Sequence, residues 1–516
     1  QLCEGVVRPG GEPESAALAA RTDLPGPAPR NVFGRPVQEE TATGAAEATS
    51  VATGMALAGL RATAVLSGEE LIASHEALRG CVERLAPLVL HVGSGQSGHA
   101  AYHAVAASGA FQMLASSGQE ALDLSLVARW VAERALLPGL VCTDLDVVES
   151  LNLPEEELIR SYLGRPDQPI ASASEAQRLL FGRERPSLMP WFDPDQPVAT
   201  GGIRGAEEAA LARFGSRLFF WEAVAELAAQ CMEELSQLTG RTLSFLRQYR
   251  LVDAELVLVA QGSLVQSAQA VAAHLRQNRS LKVGVLGVTW LRPFPASQVA
   301  AALEGRPLVA VVEALGGSPA EGPPLFGELA EAAIGSETWV SATCTGLGGR
   351  PAALGGLCER MRPPGRPQRI SLEPAPNAPS PAFPRREALV QSIGNAYPAL
   401  QQAALAEGEP PGPEPEAGRS VALIGREAEL PADALTLLAE AMANETGPVV
   451  RGTAIRPEPG VWEAGVRAAP ADFGDPGPRA PVSLLLAATG ELPNLGEPPA
   501  SVAPGGEVLL ATQEPP

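Results

Sequence analysis

The stretch from Ala254 to Glu313 limits the possible folds more than any other part of the chain. Ala254 to Ala260 (AELVLVA) is a near-continuous apolar run, the pattern of a parallel strand covered on both faces. Gln261-Gly262-Ser263 then turns the chain into a helix, Leu264 to Gln277. A second strand, Lys282 to Val288, is followed by Trp290-Leu291-Arg292-Pro293-Phe294-Pro295, which leads into a helix over Ala296 to Leu303. Leu308 to Glu313 is the third strand. This β-α-β-α-β order predicts a parallel sheet with right-handed crossovers. Gly262 and Ser263 set a helix N-terminus at a strand's carboxyl end. That arrangement is a weak phosphate-site signal, and an ordinary strand–helix turn is the plainer reading.

The other regions fit an α/β protein of several parallel-sheet, three-layer domains. At 516 residues the chain has room for two to four of them. The 53 glycines and 49 prolines concentrate in connections between apolar runs, so the chain is globular with Pro-rich links. A formal net charge of −21 argues against binding nucleic acid or an anionic membrane surface. No apolar run reaches the ~18 residues of a membrane span, and no signal peptide is apparent. Cys3, Cys81, Cys142, Cys231, Cys344 and Cys358 include no CxxC pair. An iron–sulfur or zinc site within the chain is therefore not expected, and buried free thiols in a reducing, cytoplasmic compartment are.

Toward the N-terminus, Pro36 to Leu71 reads as a helix from about Thr41 to Ala58 and a strand from Arg61 to Leu66. The helix is almost entirely Ala, Thr, Gly and Ser, with Val51, Met55 and Leu57 as its larger apolar residues. Small side chains let a helix lie close to a neighbouring backbone or to a flat ligand. Glu69 to Leu85 reads as an amphipathic helix and Leu88 to Val92 as a buried strand, followed by the Gly-rich turn Gly93 to His99. Such a turn is either an anion site or a flexible connection. His99 and His103 have i,i+4 spacing, and His91 is near in sequence. No further ligand stands at a suitable distance, so no metal site is expected. Gln119 to Leu137 is a helix leading to the strand Leu140 to Thr143, residues 164–215 read as a long irregular crossing loop, and Phe219 to Leu238 is a helix. A linker rich in Pro and Glu near residue 410 precedes a last unit. That unit has strands at Ser420–Ile424, Val449–Arg451, Val482–Ala488 and Glu507–Thr512 and a helix over Ala432–Met442.

Gly54, Ala58, Gly59, Arg61, Ala62, Ser67 and Gly68 together resemble a motif of the pyrimidine-binding domain in 2-oxoacid:ferredoxin oxidoreductases, the pyruvate:ferredoxin oxidoreductase family. The segment Ser116 to Val141 is similar to the same domain. Gly262-Ser263, Leu291-Arg292-Pro293-Phe294-Pro295, the loop after Glu313 and Gly346 to Arg350 resemble the family's transketolase C-terminal-like domain. The last unit resembles a truncated gamma domain. The resemblance implies four segments: a pyrimidine-binding-like domain over 1–250, a transketolase C-terminal-like domain over 251–362, a Pro-rich linker over 363–418 and a gamma-like domain over 419–516.

It also implies chemistry. In the family a helix carboxylate activates the aminopyrimidine of thiamine diphosphate, and that role needs a buried acid with raised proton affinity. Counting back from Gly54 puts Ala45 at that position, with Glu47 two residues later. Glu69 and Glu70 replace a Gly-rich loop, Gly95 replaces an Arg that pairs with the substrate carboxylate, and Leu24-Pro25-Gly26-Pro27 lacks a substrate-contacting hydroxyl. Asp144 to Glu149 stands in place of an Arg-Thr-Ser-His-type turn, and Gly425 to Glu429 in place of a turn that binds coenzyme A. Two readings result. In one, the chain is a degenerate alpha/gamma-type subunit, a scaffold or assembly partner that binds no cofactor itself. In the other it is an active subunit that turns a 2-oxoacid into an acyl-coenzyme A and passes electrons to ferredoxin. Its site would then comprise Glu47 as the catalytic acid, Ser67 and Gly68 against the cofactor, and Ser94, Gln96 and His99 against the substrate. Either way the diphosphate-binding and iron–sulfur parts belong to partner subunits, and contact with ferredoxin is indirect.

Overall fold

A computed structural model describes residues 2–10, 30–94, 98–144, 151–191, 205–306, 308–315, 323–332, 339–344, 351–361 and 368–372, three single positions between 385 and 392, and four C-terminal strands. The chain forms two compact units, residues 1–411 and 412–516.

The larger unit contains two parallel sheets. The strands of the first are β1 (Gly5–Pro9), β2 (Gln38–Ala42), β3 (Ala62–Ser67), β4 (Val89–Gly93), β5 (Phe111–Leu114) and β6 (Gly139–Thr143). A small antiparallel hairpin follows, β7 (Pro169–Ala171) and β8 (Glu184–Pro186). Next come β9 (Leu246–Tyr249), β10 (Leu256–Ala260), β11 (Val283–Val288), β12 (Trp290–Arg292), β13 (Leu308–Ala314), β14 (Trp339–Cys344) and β15 (Gln368–Ser371). The first sheet runs β12-β5-β6-β4-β3-β1-β2, and the second runs β15-β14-β13-β10-β11-β9. All pairings are parallel except those of the edge strands β12 and β9. The predicted β-α-β-α-β unit is thus the centre of the second sheet. Every residue of β10 and β11 is buried, as their unbroken apolar sequence requires.

β12 was expected only as a lead-in to a helix. It crosses instead to the first sheet, where Trp290 pairs with Met113. The fully buried Trp290 ring packs between Phe111 and Phe245, and this burial outweighs the short length of the strand.

The helix Ala45–Leu57 buries Ala45, Ala48, Thr49, Ala52, Thr53 and Ala56, a stripe at helical spacing, and packs on β1 and β3. Its larger residues, Val51, Met55 and Leu57, are only half-buried. Small residues therefore face the sheet and let the helix approach its backbone. The single helix expected over Glu69–Leu85 is two, Gly68–Ala73 and His75–Glu83, broken at buried Ser74, whose hydroxyl donates to the Leu71 carbonyl. Residues 164–215 hold more order than their Pro content suggests: the hairpin, a helix Glu175–Phe181 capped by Ser174, and a helix Ala206–Phe219. The helix Val224–Thr239 then packs on Gly118–Ala135.

A buried ion pair ties the first domain together. Arg61, just before β3, sets its Nε 2.8 Å and Nη2 3.0 Å from the two carboxylate oxygens of Glu133, and neither side chain is exposed. The guanidinium lies 4.8 Å from the centroid of the Phe33 ring. Burial raises the Glu133 carboxyl, but the Arg61 charge and hydrogen bonds, with Arg129 and Ser187, outweigh it and hold it below its usual range. Arg185 from β8 donates to the Glu133 and Arg134 carbonyls and anchors the hairpin to the same helix.

In the smaller unit, β16 (Ser420–Gly425), β17 (Val449–Thr453), β18 (Val482–Thr489) and β19 (Val508–Gln513) form a parallel sheet in the order β17-β16-β18-β19. Among the described residues no helix is long and apolar enough to cross a membrane.

Arg61→Met and Glu133→Leu should each cost about 3–5 kcal/mol, because each strands a buried charge. The double variant should lose clearly less than the sum, read from urea midpoints as a double-mutant cycle.

Candidate functional site

The register of the first sheet brings several predicted residues to one edge. Ser67 pairs with Gly93, and Gly93 with Thr143, so Ser67, Ser94 and Asp144 end or follow adjacent parallel strands at their carboxyl ends. In the second sheet, Gln261 to Ser263 follow β10, and Glu313 and Ala314 end β13. The two edges meet: the His99 amide donates to the Ala314 carbonyl at 2.7 Å. Ligands of open α/β sheets bind in crevices outside such strand ends.

Side chains also bridge this seam. His99 and Asp144 are fully buried, with His99 Nε2 3.1 Å from Asp144 Oδ1. Asp144 Oδ2 accepts the Ser263 amide at 2.7 Å. On the other side of the imidazole, Gln261 Nε2 lies 3.3 Å from His99 Nδ1 and 3.0 Å from His103 Nε2. Burial pushes the Asp144 carboxyl up, but the charge and hydrogen bond of His99 and the Ser263 bonds outweigh it and hold it below its usual range. Burial and the charge of His99 push His103 down to about 3. The turn that sequence reading left open between phosphate site and plain connection thus receives a carboxylate of this chain at the N-terminus of the helix Leu264–Arg279. Gly262 has φ +60°, and a Cβ there would lie 2.5 Å from Asp144 Oδ2 and 2.8 Å from His99 Nε2, so the close approach requires glycine. Beside this cluster Glu313 accepts the Leu325 and Phe326 amides at the start of the helix Pro324–Ala332. Burial pushes it up to about 7, while both amides and His99 pull the other way.

The remaining predicted residues lie elsewhere or are already engaged. Glu47 is exposed in the first turn of the helix Ala45–Leu57, where its carboxylate accepts the Thr43 amide at 2.8 Å and the Thr43 hydroxyl. Those bonds hold it below the usual carboxylate range. Ala45 is buried in the small-residue stripe. The Ser67 hydroxyl accepts the Glu70 amide, and the Glu70 carboxylate accepts the Ser67 amide, forming a closed capping box over buried Gly68. Ser94 is buried, and its amide donates to the Thr143 carbonyl at 3.0 Å. Gln96 lies outside the described residues, as do Gly95, Leu24–Pro27, Asp146–Glu149, Gly346–Arg350, Arg426–Glu429 and the expected helix over 432–442. His91, on β4, is apart from the seam, and burial with Arg129 pushes it down to about 4. Among the described residues no three His, Cys, Asp or Glu side chains gather as a metal site. Sequence reading missed Asp144 as a ligand of the Gly262 turn and Gln261 as the bridge between two histidines. The signal available was an acid directly after β6 and an amide directly after β10.

Two parallel-sheet domains meeting at their strand ends define an α/β protein of the thiamine-diphosphate-binding-fold type. Residues 35–213 match the family described as "Pyruvate flavodoxin/ferredoxin oxidoreductase, thiamine diP-bdg", and residues 254–354 match "Pyruvate:ferredoxin oxidoreductase core domain II". The chain belongs to the 2-oxoacid:ferredoxin oxidoreductase family. Pyruvate synthase subunit PorA of Methanothermobacter thermautotrophicus is 30% identical over 273 residues, 51% of this chain and 63% of that protein, just under two thirds of its length. PorA of Thermotoga maritima is 28% identical over 324 residues, 59% of this chain and 76% of that protein. A solved 2-oxoglutarate:ferredoxin oxidoreductase from Magnetococcus marinus aligns with TM-score 0.46 and 15% identity, covering 69% of this chain and 62% of that one.

Asp144→Ala leaves the Ser263 amide and His99 without their buried acceptor and should cost about 3 kcal/mol in a denaturant titration. Asp144→Asn, which keeps an acceptor, should cost less. Glu313 adds a pH dependence of known sign. Its pKa is raised from 4.5 to about 7 in the folded state, so its stabilising contribution is complete below about pH 4.5 and is lost as pH rises through 7. The stability of the wild type relative to Glu313→Gln should therefore fall between pH 4.5 and 7.5. The upper limit is about 3 kcal/mol, at ~1.4 kcal/mol per pKa unit.

Proposed function

We propose that the chain is an alpha/gamma-type subunit of a 2-oxoacid:ferredoxin oxidoreductase-like complex and acts as a scaffold or assembly partner. Diphosphate-binding and iron–sulfur subunits would carry the redox chemistry. Family membership supports the setting, and the surroundings of Glu47 carry the functional reading. An acid that activates the aminopyrimidine of thiamine must hold a proton readily. Glu47 is exposed and kept ionised by Thr43, and the position expected for the acid is the buried methyl of Ala45. The residues present therefore do not fit thiamine activation, and no catalytic step is assigned to them.

The seam supports the same reading. His99, expected to hold substrate, is committed to Asp144 and Gln261, and Ser67, expected at the cofactor, is committed to Glu70. Two polar groups that a ligand would need are used to hold the fold. The C-terminal unit, read as gamma-like, would dock a neighbouring subunit.

The test is co-purification with native partner subunits, followed by thiamine diphosphate titration of the intact complex by calorimetry. On the scaffold reading Glu47→Gln leaves thiamine diphosphate binding and turnover of the complex unchanged. A loss of both in Glu47→Gln, in a complex that still assembles, would establish the active-subunit alternative.

A further inference from the structure

Gln261 is fully buried directly after β10, and its side chain bridges two histidines of the first domain. His99 Nε2 faces the Asp144 carboxylate at 3.1 Å. Asp144 is held ionised, and an ionised carboxylate only accepts, so this ring nitrogen keeps its proton. The nitrogens whose state is free to vary are therefore His99 Nδ1 and His103 Nε2. Both face the one terminal amide of Gln261, at 3.3 Å and 3.0 Å from its Nε2. The amide turns its nitrogen toward them, and Gln261 Oε1 is buried with no hydrogen-bond partner among the described residues. A half-turn of the amide exchanges donor and acceptor within nearly the same volume.

Only two arrangements satisfy both rings. With the amide nitrogen inward, both ring nitrogens must hold lone pairs. With the oxygen inward, both must carry N–H. Any mixed state sets N–H against N–H or a lone pair against the oxygen, and a buried hydrogen bond is lost. The titratable and charged groups facing the two rings are Asp144 after β6, Glu313 on β13, Arg292 on β12, which is paired with Glu328, and the Tyr102 phenol beside them. Burial, the charge of His99 and Arg292 push His103 down to about 3. Near neutral pH that ring stays uncharged and answers a change at Gln261 by carrying its proton on the other nitrogen.

We propose that Gln261 is a proton-coupled switch in the domain seam: one proton taken up at His99 Nδ1 turns the Gln261 amide and moves the His103 proton from Nδ1 to Nε2. The net uptake is one proton from solvent. Half-buried His103 gives its Nδ1 proton to water and takes another at Nε2, so its charge is unchanged. The His99–Asp144 contact becomes an ion pair, and the bridge to the second domain is kept. A side chain that only donates or only accepts would lose its bonds at this step. The amide serves both states, so the two domains stay joined while the charge at their seam changes.

Long-range proton–nitrogen NMR of the full-length chain, labelled at the histidine ring nitrogens, reads which nitrogen holds each proton. The chain has five histidines, and His75 and His274, outside the seam, serve as references. The titration runs from about pH 8.5 to 5, the span in which histidine ordinarily changes charge. In the wild type, His99 Nδ1 should gain a proton and His103 should pass from its Nδ1–H to its Nε2–H form with one common midpoint. Gln261→Met is similar in size and lacks the amide, so the two changes should no longer share a midpoint. Gln261→Glu only accepts when ionised, and should raise the common midpoint by at least one pH unit. Urea unfolding checks that each variant is folded, and the wild-type titration stands without either. The proposal is overturned by a wild type in which neither ring changes over this span, or in which His103 keeps its form while His99 gains a proton. Coupling that persists in Gln261→Met, or a midpoint not raised in Gln261→Glu, would overturn it as well.

Discussion

The pairing of Arg61 with Glu133 is the constraint on which the first domain depends. Arg61 leads into a central strand, and Glu133 lies on the long helix Gly118–Ala135 that covers the sheet. The pair closes only if strand, helix and the Phe33 segment are placed together, and Arg185 hangs the hairpin on the same point. Two charges out of water gain little net stability over an apolar pair of the same size. What they supply here is specificity: a misplaced helix would leave a guanidinium and a carboxylate buried apart, at a cost of several kcal/mol.

A second polar cluster does for the seam what that pair does within one domain. His99 and Asp144 come from the first domain, Gln261 and Ser263 from the second, and the cluster closes only when both sheet edges are in register. β12 strengthens the joint by lending Trp290 and Arg292 to the other sheet. Arg241, in the connection between the domains, and Arg247, on the edge strand β9, reach back to Asp123 and Glu120 on the long helix. The seam is thus built from groups placed early and late in the sequence, and it stays closed through direction-dependent bonds as well as apolar contact.

Much of the fold was legible in the sequence. The unbroken apolar runs of β10, β11 and β13 had no other use than buried parallel strands, and the four C-terminal strands lie where their apolar segments put them. Residues 164–215 were not legible, because Pro masks short elements that depend on contacts far away, such as Arg185 with the Glu133 carbonyl. β12 was missed for the same reason: three residues carry no period, and their partner, Met113, is remote in sequence. At the site, the sequence supplied candidate positions by spacing alone. Their contacts were not legible, since a capping box between Ser67 and Glu70 and a carboxylate across the domain seam depend on backbone direction, which composition does not encode.

The closed capping box and the seam have a shared consequence for any anion that approaches these turns. At Gly68 and again at Gly262, the amides at a helix start are already bonded to the chain's own acids, Glu70 and Asp144. Replacing either acid alone strips a helix of its cap or a seam of its anchor before any outside anion could compensate. The two turns are therefore self-neutralised: the chain's own carboxylates stand where an outside anion would have to sit, and such an anion would first have to displace a bond that holds the fold.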